Sequence, residues 1–331
     1  MTDSPEFQVG SWFRQFIRSP VLLILLIAPY FGEGLSGSSP PLTLLLPWNL
    51  AYMAALYGCG ALLCREITHR FNLGFTGLVM LGVAYGVWEE ALVDRFWFFP
   101  KFWEDSDIGT YSVFWHTNVL LATHLTVFHT AISISASVLV VEWLRPRSRH
   151  VAWTSRRGLI VAAVVLALTP VIYGEFDQRP PTPVLVAAAG LVILVVVAAF
   201  AVGRWPRTTR CAERQPRRWL GTLAFSCVLA HWILTYSVAE TNIPWPAGVA
   251  ISLAPVALGV VLVSQLAATG PYGGDGVRVI VGLLAFFVLL DLLVGFLGRY
   301  DMILSALITA YFVRRLYARH DSIGVEPAQA A

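Results

Sequence analysis

Paired acids followed by scattered histidines stand out in an otherwise apolar chain. Glu89 and Glu90 are adjacent, Asp94 and Arg95 follow, histidines stand at His116, His124, His129 and His231, and Asp291 comes later. Carboxylates and imidazoles carry general acid–base chemistry near neutral pH and ligate divalent metals. Inside apolar spans such groups are costly and tend to mark functional positions. At 100° per residue Gly82, Gly86 and Glu90 share one helix face, and Gly82-xxx-Gly86 is the small-residue spacing that lets a second helix approach closely. Glu90 is therefore expected to face a tightly packed neighbour, with Tyr85 and Glu89 on the adjacent face. Two such carboxylates repel in a low dielectric and call for a proton, Arg95 or a histidine.

A second stripe runs through Thr123, Thr126, Thr130, Ser133 and Ser137, at spacings of three and four, which reads as a helix-packing face. His116 falls in line with it, His129 lies about 40° beyond one edge, and His124 points well away. His129 is therefore preferred as a site residue, with His116, His124 and Asp291 as secondary candidates. Asp291 has Arg299 as a possible partner at the rim.

The elements that must hold these residues follow from composition. Of 331 residues 57% are hydrophobic and 13% charged, against roughly 25% charged in an ordinary soluble domain. Mean hydropathy is +0.68. Apolar stretches lie near 19–36, 41–63, 72–93, 112–144, 158–174, 183–203, 219–239, 247–268, 277–297 and 300–316. Each is about the length a lipid bilayer requires of a helix, except the fourth, which is long for one span and is expected to tilt or to project beyond the bilayer. The expected fold is all-α: a polytopic transmembrane bundle of about ten spans, with 19–317 as its single domain. Residues 1–18 and 318–331 are then tails, the latter disordered. The ninth and tenth stretches are either a helical hairpin or one span and a re-entrant piece. The segment 7–17 carries no signal-peptide pattern and suits the membrane interface. No internal repeat is evident.

Every lysine and arginine except Arg95, Lys101, Arg179 and Arg299 falls on one side if the N-terminus lies inside. The positive-inside rule then puts both termini in the cytoplasm of a multi-pass cell-membrane protein. The acids and histidines thereby fall in the outer half of the membrane. Trp88, Trp97, Trp103 and Trp115 read as an outer aromatic belt. Arginine in place of lysine, with much Ala and Val, points to a GC-rich bacterial source. The net charge of +3 implies no nucleic-acid partner; membrane lipid is the expected one. The four cysteines form no CxxC pair and are read as reduced.

The order Glu89-Glu90…Arg95, then His129, then His231 resembles the CPBP group of intramembrane proteases, the type II CAAX prenyl endopeptidases and their bacteriocin-immunity relatives. There an EExxxR motif ends one helix, FxxxH sits on the next and HxxxN or HxxxD on a third. The resemblance implies Glu89 as general base, Glu90 and Arg95 as its support, and His129 and His231 near the scissile carbonyl of a peptide or lipidated peptide. Alternatively, Glu89, His129 and His231 hold Zn²⁺ with an open position for water. This sequence departs from the motifs: Arg95 follows the pair after four residues rather than three, Leu125 replaces Phe, and Thr235 replaces Asn or Asp. Two spans separate the two histidines. The likeness covers residues 72–145 and one further histidine. A proton-coupled transporter and a non-catalytic scaffold or partner subunit of the same fold are the competing readings.

Overall fold

The computed structural model describes residues 19–99, 106–173, 179–203, 217–267 and 270–323. The expected tail 1–18, residues 324–331 of the other, and Lys101, Trp103, Cys211 and Arg204 to Arg214 lie outside the described residues.

Ten long helices run through the described residues: α1 (Pro20–Gly34), α2 (Pro47–Arg70), α3 (Gly74–Val93), then, after the short α4 (Asp107–Thr110), α5 (Val119–Leu144), α6 (Arg156–Tyr173), α7 (Thr182–Gly203), α8 (Trp219–Ala239), α9 (Trp245–Leu266), α10 (Gly274–Phe296) and α11 (Tyr300–Ile323). Seven are long and apolar enough to cross a membrane, and α1 is a shorter apolar helix. The protein is a helical membrane bundle. Helices α10 and α11 pack along each other, so this part is a helical hairpin. Gly298, at φ 119, makes the turn in a backbone conformation that glycine adopts without steric cost.

Three expected boundaries move. Helix α2 starts later, at Pro47, and runs on to Arg70, and α11 continues through residues 318–323, which were expected to be disordered tail. The stretch 112–144 begins its helix at Val119. Before it, β1 (Val113–Phe114) and β2 (Thr117–Asn118) form a hairpin, with Trp115 and His116 at φ 47 and 62 as its two turn residues. Asn118 sets the boundary. Its Oδ1 caps the helix by accepting from the Leu121 N–H at 3.0 Å, and its Nδ2 donates to the Ile108 carbonyl at 2.6 Å.

Helices α1, α2, α3 and α5 pack in a ring, each against two of the others, and form the centre. Around them α6 lies on α2, α7 on α3, and α8 joins α9 to α10. Of the seven long apolar helices α5 is the most buried, while α7 and α9 turn most of their apolar surface outward, as lipid-facing helices do. Gly82 and Gly86 meet α5 as their spacing suggests: a Cβ on Gly86 would lie 3.2 Å from Thr126 Cα and from His129 Cβ. The backbones touch there because no side chain intervenes.

At the arginine-rich end, Arg65 and Arg70 sew the loop between α5 and α6 to the end of α2. All five N–H groups of buried Arg65 are used, on Glu142, Glu66 and the carbonyls of Val151, Ser148 and Arg149. Trp153 lies under its guanidinium at 4.2 Å. Residues read from sequence as orientation signals are thus structural as well.

Overpacking a tight seam costs about 1–3 kcal/mol. Gly86→Leu should therefore lower the apparent melting temperature of the purified protein by several degrees. Gly190→Leu, at a glycine with nothing within 4 Å, should leave it unchanged. Equal effects of the two would contradict the α3–α5 contact.

Candidate functional site

Four central helices each depart from α-helical winding at one place. The π-helical turns are Tyr30–Gly34 in α1, Ala54–Gly58 in α2, Glu89–Val93 in α3 and His129–Ala136 in α5. Such turns are rare, occur mostly singly, and are frequent at functional sites. Each of these carries a polar side chain of one cluster: Glu33, Tyr57, Glu89 with Glu90, and His129. The wider turn re-aims the residues that follow it relative to a regular helix, which here turns each of the four toward a shared centre.

The cluster is a string of short contacts. Tyr57 Oη lies 2.7 Å from Glu33 Oε1 and 2.7 Å from Glu89 Oε1. His129 Nε2 lies 2.9 Å from Glu89 Oε2 and 2.7 Å from Glu90 Oε1. At its ends Ser39 donates to Glu33 Oε2 at 2.8 Å, and His129 Nδ1 meets Ser133 Oγ at 3.0 Å. Tyr57 has one proton to give and two carboxylates at hydrogen-bond distance; closing both contacts takes a further proton on one of them. The His129 ring stacks on Tyr57, centroids 5.9 Å apart, and meets Tyr85 edge-on. Glycines make room for the rings: a Cβ on Gly32 would strike the Tyr57 ring and one on Gly60 the Tyr85 ring. All of these acids and aromatics are buried, Glu89 completely.

The predicted site residues divide into groups. Glu89, Glu90 and His129 come together. Arg95 ends α3 in a left-handed conformation, φ 63, as a C-terminal helix stop. His231 does not join Glu89 and His129. Its Nδ1–H donates to the Ser252 carbonyl at 2.7 Å and its Nε2 faces His124 Nδ1 at 3.0 Å. Since a carbonyl only accepts, neutral His231 presents an Nε2 lone pair, and His124 Nδ1–H must donate to it. His124, which a regular helical wheel turns away from the site, is therefore one half of a buried pair beside Trp232. His116 is exposed in the hairpin turn. Asp291 is buried on α10; Arg299 pairs with Asp301 instead, at 2.8 Å. That ion pair and its hydrogen bonds raise the Arg299 pKa above its ordinary value. Glu33 and Tyr57 are the members that sequence reasoning missed. A glutamate flanked by Gly32 and Gly34 in the first apolar stretch was the available signal.

The cluster has the donors of a metal site. Ligand atoms of Glu89, Glu90 and His129 all lie within 4.8 Å of one another, and so do those of Glu33, Glu89 and Asp94. Glu90 Oε2 and Asp94 Oδ1 are buried without a hydrogen-bond partner among the described residues. With its Nδ1–H on Ser133, His129 turns the Nε2 lone pair toward the carboxylates, the orientation that a metal ligand needs. Two carboxylates and one imidazole suit Zn²⁺, Mn²⁺ or Fe²⁺ with positions left for water. His231 belongs to neither group, its Nε2 facing His124 instead, so the donor set that the structure brings together is Glu89, Glu90 and His129 rather than the expected Glu89, His129 and His231.

Over residues 22–315 the chain matches the model of a family described as an uncharacterized membrane protein family. The chain belongs to that family. No curated protein and no solved structure matches it. The stretch shared with this membrane protein family contains the whole cluster, from Glu33 to His129, and both members of the histidine pair.

After loading with Zn²⁺ or Mn²⁺ and desalting, wild-type protein is expected to retain about one equivalent of metal, as a three-ligand site does. Glu89→Gln and His129→Ala should lose it and His231→Ala should keep it, as read by inductively coupled plasma mass spectrometry. Equal content in all four proteins would remove the metal assignment.

Proposed function

We propose that this chain is an intramembrane hydrolase that cuts a peptide or lipidated peptide near the arginine-poor face of the cell membrane. The observation that carries this reading is His129 Nε2 within 2.9 Å of Glu89 Oε2 and 2.7 Å of Glu90 Oε1. A carboxylate pair sharing one imidazole, away from bulk water, can take a proton from a water molecule and return it to a leaving amine. In this reading Glu89 is the base. Glu90 and His129 share the proton, Tyr57 holds Glu89 from the other side, and Glu33 is the far store. A bound divalent metal, on Glu89, Glu90 and His129, would supply Lewis acidity and a more acidic water.

The meeting of the acid pair with His129 supports a distant place in the CPBP group. The off-spaced Arg95 and the engagement of His231 with His124 and Ser252 set it apart from that group's motifs. Thr235, where the motif has Asn or Asp, places its hydroxyl on the His231 carbonyl at 2.8 Å.

The string Glu33–Tyr57–Glu89 favours a second reading, a proton-coupled carrier, since alternating carboxylates and a phenol can pass a proton along. One comparison separates the two. Newly formed peptide termini are profiled by mass spectrometry in membranes of cells expressing wild-type or Glu89→Gln protein. The hydrolase reading expects termini in membrane-proximal segments that fall by about a hundredfold or more in the variant, the scale of lost general-base catalysis. Identical termini, together with pH-gradient-driven uptake by proteoliposomes, would overturn it in favour of the carrier.

A further inference from the structure

At the opposite end of the central helices from the carboxylate cluster, a cavity of about 210 Å³ opens on the arginine-rich side. That is room for several water molecules or a small polar group. Leu78 and Val138 line part of it, and the rest of the wall is polar and mixed in charge: His69 and Thr68 from the end of α2, Glu142 from α5, Arg149 and His150 from the following loop, and Tyr272 before α10. Arg65 borders it too, but its five donors are committed. Arg149 is different. Its guanidinium lies 3.5 Å over the Tyr272 ring, which fixes its position, and it has no ion-pair partner among the described residues. Half-burial lowers its pKa below the ordinary arginine value, a desolvation cost that a bound anion would offset.

Glu142 supplies the second observation. It is 5% exposed. Arg65 holds Oε1 at 3.1 Å, while Oε2 is buried with no hydrogen-bond partner among the described residues. A buried carboxylate oxygen left unmatched beside a cavity needs a donor. The cavity therefore presents the Arg149 cation, the imidazoles of His69 and His150 as further donors, and an unfilled acceptor on Glu142.

We propose that this cavity binds a phosphate-bearing group with an amine or hydroxyl donor on a short linker, the phosphate on Arg149, His69 and His150 and the donor on Glu142 Oε2. Phosphoethanolamine and phosphoglycerol have this chemistry. The position, among helix ends at the arginine-rich membrane face, makes a phospholipid head of that leaflet the source. Phosphatidylcholine carries the same phosphate but no N–H, so the Glu142 end tells them apart.

The test uses the full chain purified in detergent, with lipid binding read by native mass spectrometry and by ligand-induced shifts in melting temperature. Phosphatidylethanolamine and phosphatidylglycerol should bind at least tenfold tighter than phosphatidylcholine. Arg149→Gln should lower binding of all three. Glu142→Gln should erase the preference over phosphatidylcholine; should that variant fail to fold, Arg149→Gln, which leaves the Arg65 contacts in place, carries the test. Soluble O-phosphoethanolamine and inorganic phosphate form the second arm, and both should bind weakly. Tighter binding of the soluble compounds than of the lipids would overturn the lipid source. Equal binding of phosphatidylcholine, or unchanged binding by Arg149→Gln, would overturn the site.

Discussion

Four carboxylates, two phenols and one imidazole share a volume from which lipid and neighbouring helices exclude water. Charged groups there attract or repel with several times their strength in water, so Glu33, Glu89, Glu90 and Asp94 cannot all ionise without protons or a cation among them. Much of the central architecture follows from this constraint. His129 sits between Glu89 and Glu90, Tyr57 between Glu89 and Glu33, and rings of Tyr57 and Tyr85 close around the imidazole. Glycines at 32, 60 and 86 stand where a side chain would push those groups apart.

The backbone bears part of the cost. An uninterrupted α-helix satisfies its own hydrogen bonds, which makes it the natural spanning element in lipid. Four of the central helices nevertheless widen by a π-turn, each where it delivers a cluster residue. Irregularity of this kind on four helices at one place is hard to attribute to packing, because the peripheral helices α7 to α10 pack without it. It is what a pre-arranged polar site in a low dielectric requires.

The spans were legible because lipid-facing apolar length is a local property of sequence. The seam of Gly82 and Gly86 against the threonine stripe was legible because it depends only on helical periodicity, and so was the approach of His129 to the acid pair. Three features were not. Val119 starts its helix late because a hairpin of 113–118 is pinned by Asn118, and hairpin turns at Trp115 and His116 carry no glycine signal. His124 is turned away from the acid pair, as its periodicity indicates, but its partner His231 stands 107 positions away on another helix, so the buried histidine pair left no local signal. Glu33 and Tyr57 belong to the site through contacts between spans, which no local pattern records. The loop arginines hid a further layer. Arg65, read from sequence as an orientation signal, saturates its donors in folding a loop.

The two polar regions answer to different surroundings. At the arginine-rich end, ion pairs with committed donors fasten loop to helix. In the centre, carboxylates outnumber the donors available to them, an excess that costs stability and that the proposed chemistry would use. Heating wild type and Glu89→Gln side by side, in chelator, tests this most directly. A neutral amide of the same shape removes one of four crowded acids, so the apparent melting temperature should rise by a few degrees. A fall of several degrees would mean that Glu89 is structural and would contradict the account.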